Sequence, residues 1–92
     1  MMRCIYVDDE EALLDIAKEF LELEGDISVD TVSSVETALK LISGTTYDAI
    51  ISDYQMPEMD GIRFLKRIRS EGIEIPFILF TGRGREEVVI EA

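Results

Sequence analysis

Three short stretches hold the side chains able to do chemistry together: Asp8 and Asp9 in YVDDE (6–10), Asp53 in DYQMPEMDG (53–61), and Thr81 with Gly82 in ILFTGRG (78–84). Three carboxylates brought into one shallow pocket repel one another, so either one stays protonated or a cation compensates them. A hard divalent ion that prefers oxygen ligands, Mg2+ or Mn2+, is the economical compensation. A threonine hydroxyl, and a glycine backbone that allows close approach, are suitable donors for an anion's oxygen. Carboxylates, metal and hydroxyl together suit transfer of a phosphoryl group onto an acid, with the metal offsetting charge and the protein positioning the partners. A plainer alternative stands beside this one. In it Asp8 and Asp9 cap the helix that follows, Asp60 caps another, and Asp53 opens a turn.

Either reading depends on the elements that place these residues. Residues 3–8 (RCIYVD) read as a short buried strand, and 27–32 (ISVDTV) as a strand with one exposed face. Residues 48–53 form a third, and 76–81 (PFILFT) a fourth that tolerates Pro76 at its first position. Helical spacing fills the gaps. Leu13, Ile16, Ala17, Phe20 and Leu21 share one face of a helix over 10–24 that Gly25 ends. Val35, Ala38, Leu39 and Ile42 form a second stripe before Gly44, with Ser33 as N-cap and Glu36 reaching back to it. Ile62, Leu65 and Ile68 face inward from a third helix over 61–70, with Asp60 as N-cap and Gly72 after it. GREEVVIEA, residues 84–92, predicts the opening of a fourth helix.

Strand and helix thus alternate four times, which predicts an α/β fold with a parallel sheet covered on both faces. In such a sheet ligands bind outside the carboxyl ends of the strands, where the strand order reverses. If the order is 2-1-3-4, the first and third strands are neighbours, and the acids at their ends meet.

Composition narrows the function. An apolar share of 47% with 32% charged residues is that of a globular chain rather than a disordered one. The 9 basic and 20 acidic residues give a net charge of −11, which leaves no basic stripe for nucleic acid or an anionic membrane. Cys4 is the only cysteine, so no intrachain disulfide can form and a reducing cytoplasm is the expected location. The start, MMRCIYVDDEE, reaches acids before any signal-peptide core, and no apolar run is long enough to cross a bilayer. Histidine is absent, which removes the commonest general base and any phosphohistidine from this chain.

Taken together, YVDDE, DYQMPEMDG and ILFTGRG resemble the receiver domain of two-component response regulators. DYQMPEMDG is the most specific of the three, because its Asp, Met-Pro and Met-Asp-Gly all fall at the family spacing. The likeness covers the whole chain. It implies a doubly wound, flavodoxin-like sheet of order 2-1-3-4. It also implies that Asp53 takes a phosphoryl group from the phosphohistidine of a histidine kinase. Asp9 would bind the metal directly, Asp8 mostly through water, and Gln55 through its backbone carbonyl. Pro57 and Gly61 would shape the loop into the third helix, and Thr81 would be the switch hydroxyl. The side chains of Gln55 and Arg83 would tune how long the phosphate survives.

The family continues with a fifth strand, whose lysine contacts the phosphoryl group, and a fifth helix. The sequence ends at Ala92 before both, so residues 1–92 are expected to be a receiver domain incomplete at its C-terminus, or one completed by another chain. No residue here is assigned to that lysine; Lys40 and Lys66 fall on helix faces away from the sheet edge. The leading expectation is a phosphoacceptor whose only enzymology is its own Mg2+-dependent phosphorylation and dephosphorylation. The alternative is a receiver-fold module that binds proteins without productive phosphorylation, with a homodimer through the fourth helix or the open edge of the fourth strand. A haloacid-dehalogenase-like phosphatase needs a second acid two residues after the nucleophile, where Gln55 stands. A calcium loop needs alternating acids that are missing around Asp60-Gly61.

Overall fold

The computed structural model describes residues 1–56, 59–80 and 88–91. In chain order the elements are β1 (Met2–Val7), α1 (Glu11–Glu22), β2 (Ile27–Val32), α2 (Val35–Gly44), β3 (Ala49–Asp53), α3 (Gly61–Ser70), β4 (Phe77–Phe80) and β5 (Val88–Glu91). They build one sheet of order β2-β1-β3-β4-β5. The first four strands in that order are parallel, as the sequence predicts.

The period-2 alternation of the strands sorts side chains onto two faces. Ile5 and Val7 of β1, Ile50 of β3, and Phe77 and Leu79 of β4 join Ala38 and Ile42 of α2 and Phe64 and Ile68 of α3 in the larger core. Phe64 meets Phe77 edge to face, with ring centroids 5.5 Å apart. The opposite face carries a smaller cluster in which Tyr6 and Val29 pack against Leu14 of α1, flanked by Ala17, Leu21, Ile27 and Ile51.

Helix ends follow local chemistry. Asp60 caps α3 by accepting the Arg63 N–H at 2.8 Å, as expected. The cap of α2 is Ser34 rather than the expected Ser33: Ser34 is extended, and its hydroxyl oxygen accepts the Thr37 N–H at 3.2 Å. Two adjacent serines offer the same side chain, and the backbone that turns helical at Val35 selects the second. Gly25 and Gly72, after α1 and α3, have φ of 81° and 79°, the left-handed region that favours glycine. The free edge of β2 is satisfied at Val29. Glu22 accepts the Val29 N–H at 2.7 Å, and the Lys18 ammonium donates to the Val29 carbonyl at 2.6 Å.

Two further expectations need correction. The helical face of Leu13, Ile16, Ala17, Phe20 and Leu21 is divided: Leu14, Ala17 and Leu21 pack on the sheet, whereas Leu13, Ile16 and Phe20 are exposed, together with Leu23. Helix α1 carries two apolar stripes, and spacing alone does not say which one turns inward. The fourth helix is likewise replaced, over residues 88–91, by strand β5, which runs antiparallel to β4 with Ile78 opposite Ile90 and Leu79 opposite Val89. Val88, Val89 and Ile90 are consecutive β-branched residues, and the edge of β4 offers unpaired backbone groups to complete a ladder. The edge of β4 is therefore paired there, and the expected dimer contact through a fourth helix finds a strand in that helix's place. Among the described residues no helix is long and apolar enough to cross a membrane.

Candidate functional site

Strand register brings the acids together. β1 and β3 are parallel neighbours whose last pair is Val7 with Ser52, so the next residues along the two strands are Asp8 and Asp53. Both continue the strand parity of Tyr6 and Ile51 and so share the sheet face that α1 covers. Asp9 follows at the turn into α1. Carboxylate oxygens of Asp8, Asp9 and Asp53 all lie within 4.8 Å of one another.

Asp8 is 1% exposed. Its Oδ1 accepts the backbone N–H of Glu10 at 3.0 Å, and its Oδ2 accepts the hydroxyl of Tyr6 at 3.3 Å. Burial pushes its pKa above the ordinary carboxylate range, and the charges of Asp9 and Glu10 push the same way, while the two hydrogen bonds oppose them. Asp8 thus does part of the capping work of the plainer reading, through a neighbouring backbone amide. Asp9 does not. Helix α1 begins after Glu10 with no side-chain cap, and the buried Oδ1 of Asp9 has no hydrogen-bond partner among the described residues. Asp53 is 7% exposed at the end of β3.

The loop after Asp53 is tied down at several points. The Tyr54 N–H donates to the Phe80 carbonyl at 2.9 Å, and the Gly61 N–H donates to the Tyr54 carbonyl at 2.8 Å. Met56 and Met59 pack against the larger core. Gly61 sits so close to the strand that an added Cβ would overlap the Leu79 side chain and lie 2.7 Å from the Asp53 carbonyl oxygen. The glycine that sequence spacing singled out is required by a close approach to the Asp53 backbone. Gln55 is exposed in this loop, while Pro57, Thr81, Gly82 and Arg83 lie outside the described residues.

The donor set fits a hard divalent cation. Three carboxylates offer oxygens grouped at coordination scale, the buried Oδ1 of Asp9 has no donor among the described residues, and the burial of Asp8 has no cation among the described side chains to offset it. Sequence reasoning took Tyr6 only as a strand residue. Its parity with Asp8, two positions on, is the signal that would have placed it beneath the cluster.

Comparison with known proteins agrees with this geometry. The family model of the response regulator receiver domain matches residues 4–92. The response regulator SaeR of Staphylococcus epidermidis is 36% identical over 92 residues, which is 100% of this chain and 39% of that protein. The chain therefore spans about two fifths of the length of the curated relative it matches. Among solved structures, the response regulator TrrA of Thermotoga maritima in complex with Mg(2+)-BeF superposes with a TM-score of 0.82 at 34% identity, over 91% of this chain and 72% of that one. The complex of histidine kinase ThkA with TrrA gives 0.81 at 34% identity, over 95% of this chain and 76% of the other. With the acids at the strand ends, the parallel order and these likenesses in agreement, the chain belongs to the response regulator receiver domain family of two-component systems.

Proposed function

We propose that Asp53 is the phosphoacceptor of this receiver domain and that Asp8, Asp9 and the backbone carbonyl of Gln55 join it in holding one Mg2+ or Mn2+ ion. The observation that carries this reading is the grouping of the three carboxylates at the carboxyl ends of two adjacent parallel strands. The ion, when bound, would supply positive charge between the acids and the oxygens of an incoming phosphoryl group.

The residues of the chain do the rest. A carboxylate oxygen of Asp53 attacks phosphorus, an O–P bond forms, and the N–P bond of the donor's phosphohistidine breaks, its electron pair leaving with the imidazole nitrogen. Residues 1–92 hold no histidine, so the donor imidazole lies outside them, in this reading on a histidine kinase. Support for that partner comes from TrrA, whose solved complex is with the histidine kinase ThkA. The hydrogen bonds of Tyr54 and the close approach of Gly61 hold the Asp53 backbone in place. Thr81, next after Phe80 at the end of β4, is the switch hydroxyl in this reading.

The test is labelling with a small phosphodonor such as acetyl phosphate, alongside transfer from a phosphorylated histidine kinase, each with and without Mg2+. Mg2+-dependent addition of one phosphoryl group is expected, lost in Asp53→Ala. Labelling that persists in that variant would refute the assignment.

A further inference from the structure

Tyr6 stands apart from the other core residues of β1 because it carries a polar atom into the interior. The side chain is 7% exposed and packs with Leu14 and Val29 beneath the acidic cluster. Among the described residues its hydroxyl has one hydrogen-bond partner, Oδ2 of Asp8 at 3.3 Å. A phenylalanine would fill the same space with no hydroxyl to satisfy, so the oxygen needs an explanation other than packing. Asp8 itself is held at both oxygens from the protein side, by the Glu10 N–H and by Tyr6, and each oxygen keeps a second lone pair for a cation or for water bound to one.

We propose that Tyr6 is a positioning residue of the cation site: its buried hydroxyl orients the Asp8 carboxylate, and through it sets the affinity of the cluster for a divalent ion. This rests on the reading of Asp8, Asp9 and Asp53 as a metal site and goes beyond it by assigning a supporting role to a residue that touches neither ion nor phosphoryl group. Outer partners of this kind fix the direction of a ligand, and their loss weakens binding even when every ligand remains. The 3.3 Å separation is longer than the roughly 2.5–3.0 Å of an ordinary O–H···O bond.

The experiment is Mn2+ titration of the full 92-residue chain, read by the free-Mn2+ resonance, for wild type, Tyr6→Phe and Tyr6→Leu, with urea unfolding of each in EDTA. The Phe variant is expected to fold in EDTA with at most a modestly lower midpoint, yet bind Mn2+ about tenfold more weakly, near the lower end of such outer-partner losses. Tyr6→Leu, which also removes the ring, is expected to show the same loss of affinity together with a lower midpoint. Wild-type affinity in Tyr6→Phe overturns the proposal while leaving the metal site intact, whether or not the Leu variant is weakened. Absence of Mn2+ binding by the wild type overturns both.

Discussion

The N–H of Gly61 donates to the carbonyl of Tyr54 at 2.8 Å, closing the loop that begins at Asp53 against the first turn of α3. The approach is possible only without a side chain at 61, since a Cβ there meets the Leu79 side chain and the Asp53 carbonyl oxygen. Gly61→Ala is therefore expected to lower stability by about 1–3 kcal/mol, the usual penalty for overpacking. It should also slow phosphoryl labelling of Asp53. Urea unfolding and labelling rates measured on the same variant check both effects; a fully stable, fully active variant would refute the close approach.

Asp8 is costly to the metal-free fold. Its pKa is raised, so the ionised carboxylate is less favourable in the folded chain than in the unfolded one. That penalty is absent below the unfolded value of about 4 and is fully present above the raised folded value. Asp8→Asn removes it and is expected to raise the unfolding midpoint in EDTA at pH 7, with the gain vanishing below about pH 4. In the proposed reading Mg2+ stabilises the wild type, and the same change should abolish that effect. Melting curves with EDTA and with excess Mg2+ measure the two effects.

Helix α1 offers a test of which apolar stripe turns inward. Leu14 is 4% exposed and Phe20 is 75% exposed. Leu14→Ala is expected to cost about 2–5 kcal/mol, whereas Phe20→Ser should change stability by no more than about 0.5 kcal/mol beyond its propensity effect. The reverse ranking in urea titrations would mean that the helix is rotated.

At the opposite end of the sheet, the Tyr47 hydroxyl donates to Asp30 at 2.6 Å and Arg3 pairs with the same carboxylate oxygen at 3.0 Å. The tyrosine hydrogen bond, followed by that to Arg3, holds the Asp30 pKa below its ordinary value. A depressed carboxylate contributes stability that is present above about pH 4 and lost as pH falls through the folded value. Tyr47 is itself pushed up to about 12, first by burial and then by Asp30, so its share is present below about pH 10 and lost as pH rises toward that value. Tyr47→Phe is expected to cost about 1 kcal/mol at pH 7. The difference from wild type should shrink as the pH falls below about 4 and through the depressed folded value of Asp30, and unfolding midpoints across that range decide it.

Much of this was legible in the sequence, for physical reasons that differ from element to element. The four parallel strands and α3 were readable because their apolar runs are short and bounded by Gly, Pro and Asp, and the acids were readable because carboxylates rarely end core strands without purpose. The order β2-β1-β3-β4 came from the family likeness, since local spacing says nothing about which strands are neighbours. The inward face of α1 was not readable, because Leu13-Ile16-Phe20-Leu23 is as regular as Leu14-Ala17-Leu21. Strand β5 was misread because four residues of VVIE carry too little period to separate strand from helix, and the free edge of β4 decided the matter. The hydroxyl of Tyr6 was invisible as a partner until β1 parity placed it under Asp8.

The central claim is spatial: Asp8, Asp9 and Asp53 surround one ion. Substoichiometric Mn2+ added to isotope-labelled protein broadens the amide resonances nearest the bound ion, which makes its position directly visible. The account predicts that signals of residues 8–10 and 53–55 disappear first and together, saturating at one ion per chain. Broadening scattered over the exposed acids of α1, with the Asp53 amide unaffected, would contradict it.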